Sequence, residues 1–192
     1  MKIYLIRHAE TEWNLTHRHT STTDLPLTEK GKKQAEALRA RLQHLTFDHV
    51  FSSPMQRAIE TCVKAGVGKK MHIDQDLSEW NYGEYEGKTR DEINIDHPNW
   101  SIFSHGAKGG ESVTEAFYRA QRFIKKLKKL EGNVIIFSHG HFSRVLGASW
   151  IGLNAHFGES LTLRNASVSI LGINRDKPAI FLWNDVSHLS NT

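Results

Sequence analysis

Arg7, His8, Arg57 and His139 are the residues of this 192-residue chain whose types and placement point to chemistry on an anion. A phosphoryl group carries about two negative charges and several acceptor oxygens, and arginine answers it with a planar, permanently charged donor fork. Arg7 and Arg57 suit that clamp, His139 can add a donor, and Asn14, six residues past His8, can add a neutral amide. A neutral imidazole is a competent nucleophile near pH 7, and a phosphohistidine divides a slow hydrolysis into two easier steps. His8 is therefore the expected nucleophile, with fixed positive groups around it stabilising the transferring phosphoryl. The leaving alkoxide needs a proton, which a carboxyl group close to the bound phosphate can supply. Glu79 is the choice for that acid, with Glu84 and Glu86 as nearby competitors. In the second half-reaction the same carboxylate would draw a proton from the attacking water.

Each signal alone has an ordinary explanation. A histidine after a strand is more often structural, and Arg7 could be a surface residue. Arg57 at a helix start faces an unfavourable dipole unless an anion compensates it. Their conjunction carries the argument.

The elements that must position these groups can be read from periodicity and capping. Lys2 to Ile6 reads as a short buried strand with Arg7-His8 at its C-terminal end. Residues 28–45 read as a helix, with Thr28 as N-cap and Ala35, Leu38, Leu42 and Leu45 at helical spacing. A strand is expected over Asp48 to Ser52, then a helix opened by Ser53 as N-cap and Pro54 at the first position, with Arg57 in its first turn. Met71 to Asp74 reads as a third strand. The segment 77–111 is expected to form an irregular or helical cap, with a short helix near Arg90 to Ile95. Ser112-Val113-Thr114-Glu115 is a capping box. The helix it opens has an apolar face of Val113, Ala116, Phe117, Ala120, Ile124 and Leu127. A strand over Asn133 to Phe137 runs into Ser138-His139-Gly140-His141, and a helix follows over Phe142 to Ile151. Two further strands are expected over Ser167 to Ile173 and Ala179 to Trp183. Alternating strands and helices predict an α/β fold, a three-layer sandwich with a mainly parallel sheet between helices, as a single domain over 1–192. Ligands collect at the carboxyl ends of such strands, where His8, Arg57 and His139 all fall.

Composition narrows the function classes. Hydrophobic residues make up 39% and charged residues 24%, a globular balance. The net charge of +4 and pI near 9.2 fit anionic substrates, but no stripe of Lys/Arg with interleaved aromatics marks a nucleic-acid surface. No segment reads as membrane-spanning or as a signal peptide, and Cys62 is the only cysteine, so a cytoplasmic protein is expected. The twelve histidines invite a metal, but the pairs His17/His19 and His139/His141 are two apart, not at the helical spacing of metal sites; no metal and no cofactor are expected. Arg18, His19 and Ser21 lie on the loop after Asn14, where they reach a second phosphate or are simply solvated. His141 either binds substrate or caps the following helix. Trp80, Tyr82 and Tyr85 wall the site or pack the core, and Trp100 with Phe103 suggests a lid.

Leu5-Ile6-Arg7-His8-Ala9-Glu10-Thr11-Glu12-Trp13-Asn14 resembles the Arg-His-Gly-Glu-Thr-x-x-Asn signature of the histidine phosphatase superfamily, also called phosphoglycerate mutase-like, with Ala9 where glycine is common. Thr23-Asp24-Leu25-Pro26-Leu27-Thr28-Glu29-Lys30-Gly31 and Ser52-Ser53-Pro54-Met55-Gln56-Arg57-Ala58-Ile59-Glu60-Thr61 resemble the next two blocks. Glu79-Trp80-Asn81-Tyr82-Gly83-Glu84-Tyr85-Glu86-Gly87 resembles the acid segment, and Ser138-His139-Gly140 the last. The resemblance implies a phosphate pocket of Arg7, His8, Arg57 and His139, phosphorylation of His8, and Glu79 as proton donor. Within the superfamily the short chain and the Glu-Trp-Asn-Tyr-Gly segment favour a phosphatase. With Ser104 to Ser112 and His139-Gly140-His141, they are nearest to the fungal sedoheptulose bisphosphatase branch. The implied activity is hydrolysis of small phosphomonoesters, sugar phosphates or bisphosphates among them. The alternatives are a cofactor-dependent phosphoglycerate mutase and a protein phosphatase acting on phosphohistidine or phosphoserine. A partner-binding module without catalysis would be expected to lack the nucleophile or a clamp residue, and this chain lacks neither.

Overall fold

The structure is a computed structural model that describes residues 1–190. Its elements in chain order are β1 (Lys2–Arg7), α1 (Glu12–Leu15), α2 (Glu29–Leu42), β2 (His49–Ser52), α3 (Gln56–Lys64), β3 (Met71–Ile73), α4 (Arg90–Asp96), α5 (Ile102–His105), α6 (Val113–Leu127), β4 (Val134–Ser138), α7 (Gly140–Trp150), β5 (Val168–Asn174) and β6 (Lys177–Asp185). The two-residue period of a strand decides the layering. In β1, Ile3 and Leu5 join the core under α6 and α7, while Tyr4 and Ile6 join the core under α2 and α3. Val134 and Ile136 divide from Ile135 and Phe137 in β4 in the same way. Both faces of the central strands are thus apolar, as a covered parallel sheet requires.

The sheet order is β3-β2-β4-β1-β5-β6. β3, β2, β4 and β1 run parallel, while β5 and β6 pair antiparallel on the far edge. The expected α/β sandwich with a mainly parallel sheet is therefore the observed one, and the two tail strands are its antiparallel exception. Cys62 lies on α3, fully buried in the core under that helix, and burial pushes its thiol up to about 12.

Helix boundaries differ from expectation where the cap comes from elsewhere in the chain. Thr28 caps α2 as predicted, accepting from the Gly31 N–H at 2.9 Å, but the helix stops at Leu42. Helix α3 begins at Gln56, not after Ser53, because the Asp24 carboxylate accepts the Gln56 N–H at 2.8 Å. The Ser53 hydroxyl is directed instead at Met55 N–H and His139. Helix α7 begins at Gly140 rather than Phe142 for a similar reason: the Glu79 carboxylate accepts from the N–H groups of His141 and Phe142. The Ser112 capping box of α6 forms as expected. Its buried face, however, includes Phe123 and Arg119, while Val113 and Phe117 are only partly buried.

The segment 77–111 contains α4, α5 and short 3₁₀ turns. Trp80, Tyr85, Trp100 and Phe103 sink into the α6/α7 core, so the two aromatics expected as a lid are packing residues. Each such burial contributes about 1.5–3 kcal/mol. The two arms of the segment touch at Gly83, whose φ of +51° is a glycine conformation and whose Cβ, if present, would sit 2.3 Å from Gly110 N and Lys108 O.

Candidate active site

Three neighbouring parallel strands end side by side, and His8, Ser53 and His139 follow directly on β1, β2 and β4. The His8 N–H donates to Ser138 O at 2.9 Å and the Ser53 N–H to Phe137 O at 2.9 Å, so each turn off the sheet is pinned by its neighbour. The His8 and His139 rings meet edge to face, centroids 5.2 Å apart. Arg57, in the first turn of α3, donates its Nε–H to His139 Nδ1 at 3.2 Å. All three are buried: His8 is 4% exposed, Arg57 and His139 0%.

These contacts set the imidazole tautomers. His8 Nδ1 lies 2.7 Å from the Ala9 carbonyl oxygen; a carbonyl only accepts, so Nδ1 bears the proton and Nε2 keeps its lone pair. His139 Nδ1 accepts from Arg57, so its proton is on Nε2 and donates to the Ser53 hydroxyl at 2.7 Å. Burial, and then the charges of Arg57 and Arg7, holds His8 well below the ordinary imidazole range. Burial and Arg57 do the same to His139. Both rings are neutral at pH 7, and His8 has the lone pair a nucleophile needs.

A cavity of about 490 Å³ opens over this floor, lined by Arg7, His8, Asn14, Glu79, His141 and Asn165 among others. Arg7 donates to Leu163 O at 2.6 Å, but its buried Nε has no partner among the described residues. Such a donor is one that an anion's oxygen would satisfy. Gly140 gives the guanidinium room: a Cβ there would stand 3.3 Å from Arg7 Cζ and Nε, a tight contact that would press the side chain aside by a few tenths of an ångström. Asn14 Oδ1 accepts from Thr11 N–H and from Asn165 Nδ2, at 3.0 and 2.9 Å, which leaves the Asn14 NH₂ as the end available to a ligand.

Arg57 and His139 do not line the cavity; they lie directly behind His8. Four of the five guanidinium N–H groups of Arg57 point at protein: His139 Nδ1 and the carbonyls of Thr20, Ser21 and Thr23. In this state Arg57 therefore offers its charge to the site more than a free fork. The loop it holds is braced from the other side by Glu86, whose carboxylate accepts from Ser21 N–H and hydroxyl and from Thr23 N–H at 2.6–3.0 Å. Ser21, expected at the substrate, thus has its hydroxyl turned to Glu86 and Tyr82 N–H.

Of the three acidic candidates, only Glu79 reaches the cavity. Glu84 is a surface residue paired with Lys108, and Glu86 braces the loop. Glu79 Oε1 accepts from Trp80 and Phe142 N–H, both at 2.8 Å, and Oε2 from His141 N–H at 3.0 Å. Oε2, with the single contact, is the oxygen with room to carry a proton. Behind Glu79, Arg119 donates to the carbonyls of Asp76, Ser78 and Glu79, pairs with Glu111 at 2.6 Å, and stacks on Phe142 at 4.0 Å. The sequence signal for Arg119 is a charge placed on the apolar face of α6.

Arg18 lines the cavity but is engaged with Gly87 O and, through two N–H groups, with Glu92. His141 lines it too, and does not cap α7, because Glu79 does. Asn165 and Arg144 were not singled out by sequence. Asn165 arrives through the antiparallel pairing of β5 with β1 and also donates to His8 O at 3.2 Å. Among the described residues, no group of three or more His, Cys, Asp or Glu is placed to hold a metal ion, and no helix is long and apolar enough to cross a membrane.

Comparison with known proteins follows the same outline. The histidine phosphatase superfamily (branch 1) matches residues 3–186. An acid phosphatase of Mycobacterium tuberculosis is 35% identical over 89% of this chain and 86% of its own. A sedoheptulose 1,7-bisphosphatase of Saccharomyces cerevisiae is 32% identical over 78% of this chain and 67% of its own. The solved structure of an open reading frame of M. tuberculosis superposes with a TM-score of 0.91 at 33% identity, covering 95% of this chain and 96% of that one.

Proposed function

The chain belongs to the histidine phosphatase superfamily, and on that premise we propose that it is a phosphomonoesterase hydrolysing small phosphomonoesters through a phosphohistidine at His8. One observation carries the reading: a neutral imidazole whose Nδ1–H is tied to Ala9 O stands at the cavity floor with Arg7 beside it and Arg57 behind. Nε2 of His8 attacks phosphorus, and the bond from phosphorus to the ester oxygen breaks as the Nε2–P bond forms. The departing oxygen takes a proton from Glu79. Water then attacks phosphorus, gives a proton back to Glu79 and releases phosphate and the neutral imidazole. Arg7 and the Asn14 NH₂ bind the phosphoryl oxygens, and the buried charge of Arg57, in contact with His139, stabilises the transition state. What supports Glu79 as the acid is that, of the three carboxyl groups offered by the acid segment, it alone lines the cavity.

A cavity of about 490 Å³ suits a small molecule, and the segment 77–111 contributes Glu79 and Tyr82 to its wall. The reaction so drawn calls for no metal, so full activity in excess chelator is expected. Nucleic acid has no part in it. A cytoplasmic setting suits a chain whose only cysteine is buried and unpaired.

The test is a released-phosphate screen over sugar phosphates, bisphosphates, phosphoglycerates and nucleotides, with alkaline quenching of enzyme exposed to phosphorus-labelled substrate. An acid-labile, alkali-stable phosphoenzyme at His8 is expected. Rapid isomerisation of phosphoglycerate with added bisphosphoglycerate and little free phosphate would overturn the hydrolase reading.

A further inference from the structure

The outer half of the cavity holds two imidazoles that the hydrolytic steps leave idle. His19 and His141 both line it, with near-parallel rings 19° apart and centroids at 5.9 Å. The protein fixes their tautomers in opposite senses. His19 Nδ1 lies 2.8 Å from the Lys88 carbonyl oxygen, so Nδ1 bears the proton and Nε2 keeps a lone pair. His141 Nδ1 lies 2.5 Å from the Tyr82 hydroxyl, the one hydrogen-bond partner of that hydroxyl among the described residues. Burial, together with the Glu79 charge, holds the phenol well above its ordinary value, so it keeps its proton and donates it to His141 Nδ1. The proton of His141 is therefore on Nε2.

Neither Nε2 has a protein partner among the described residues, and neither is sealed away from solvent. Burial keeps both rings neutral, helped at His141 by the Arg144 charge. A lone pair and an N–H thus stand side by side on one wall, backed by Trp100 at 5.3 Å from His19 and Phe103 at 5.3 Å from His141. A second anionic group offers acceptors only and would face the His19 lone pair. The guanidinium of Arg144 is engaged by the carbonyls of Gly158 and Glu159, at 2.9 and 2.8 Å. A bare alkyl or aryl group would leave both nitrogens unpaired. A hydroxyl donates and accepts at once and matches both. The pair also adjoins Glu79, whose carboxylate accepts from the backbone N–H of His141, on the side where the leaving group would lie.

We propose that His19 and His141 read hydroxyl groups on the leaving group, so that the preferred substrates are phosphomonoesters of polyhydroxylated alcohols, the sugar and polyol phosphates. This rests on the cavity being a phosphomonoesterase site.

The experiment compares kcat/KM for erythritol 4-phosphate and butyl phosphate, which share a four-carbon chain, with p-nitrophenyl phosphate as a third ester. Wild type should favour the polyol ester by about tenfold to a thousandfold, since a site built to bind a hydroxyl rejects its deoxy analogue. His141→Leu and His19→Leu should each bring that ratio down by about tenfold or more. Tyr82→Phe, which keeps the ring and frees the His141 proton to move, should lower it as well and decides the matter if the leucine variants do not fold. A wild-type ratio near one, or a ratio unchanged in variants that still cleave p-nitrophenyl phosphate, overturns the hydroxyl reader and leaves the phosphatase reading standing. No turnover of any ester and no phosphoenzyme in wild type overturns both.

Discussion

At the inner end His8 lines the cavity floor with Ser53 and His139 behind it, each directly after one of three hydrogen-bonded strands. At the outer end His19, Tyr82 and His141 are held by a loop carbonyl, a phenol and a helix start. The inner groups hold their places through the backbone ladder and through contacts with one another. The outer groups depend on the loop 17–23 and the segment 77–111, which meet at the Glu86 carboxylate. A group that must meet phosphorus in one geometry is set on the sheet, where displacement breaks the core. The groups proposed to choose among alcohols lie off the strand ends, on the loop 17–23, in the segment 77–111 and in the first turn of α7, so on this view the chemistry rests on the sheet and the selectivity on the segments around it.

The comparison breaks first if inner and outer substitutions cost alike. His8→Ala should lower kcat by about 10⁴-fold or more and abolish the phosphoenzyme, since no other group forms the covalent intermediate; rapid-quench labelling reads this directly. Glu79→Gln should slow alkyl phosphates by about 10²- to 10⁴-fold and p-nitrophenyl phosphate much less, because a good leaving group needs no proton. Equal loss on both would remove Glu79 as the acid.

Arg57→Ala should cost about 10²- to 10³-fold in kcat/KM, and it carries a pH signature. The reactive His8 is the neutral form, and burial followed by the Arg57 and Arg7 charges holds its pKa down. In wild type kcat/KM should therefore persist as pH falls through the ordinary imidazole value and decline only below it. Removing Arg57 removes one depressing charge, so the acid limb should move to higher pH with the same substrate. The smallest effect is expected at Glu86→Gln. It keeps a carbonyl oxygen at the Oε1 position for the N–H groups of Ser21 and Thr23 but replaces the Oε2 that takes the Ser21 hydroxyl with an NH₂, and should cost about 0.5–1.5 kcal/mol of stability, read by thermal melting. Here KM should rise several-fold while phosphoenzyme formation persists. A Glu86→Gln variant unable to form phosphoenzyme would dissolve the division between the two halves.

The inner half was legible because its residues follow strands whose apolar runs are visible in the chain, and because their order resembles a known signature. What escaped was contact between distant segments. Ser53 looks like a helix cap until Asp24 is seen to cap α3 and Ser53 to bind His139. Arg57 looks like a two-pronged clamp until the carbonyls of Thr20, Ser21 and Thr23 take up its donors. His19 and His141 were each visible as histidines near the site, but their opposite tautomers depend on Lys88 O and on Tyr82. Asn165 has no local signal at all: antiparallel pairing of β5 with β1 delivers it. Periodicity reports what an element buries, and is silent on which carbonyl a side chain finds across the fold.

The chain's only sulfhydryl, Cys62, is shut under α3 with its thiol pushed up to about 12. Peroxide and alkylating reagents act on the thiolate, a form this residue scarcely samples at neutral pH. An enzyme working through imidazole nitrogen presents such reagents with no reactive sulfur at its centre, so oxidant bursts that silence thiolate-based hydrolases should leave its turnover intact.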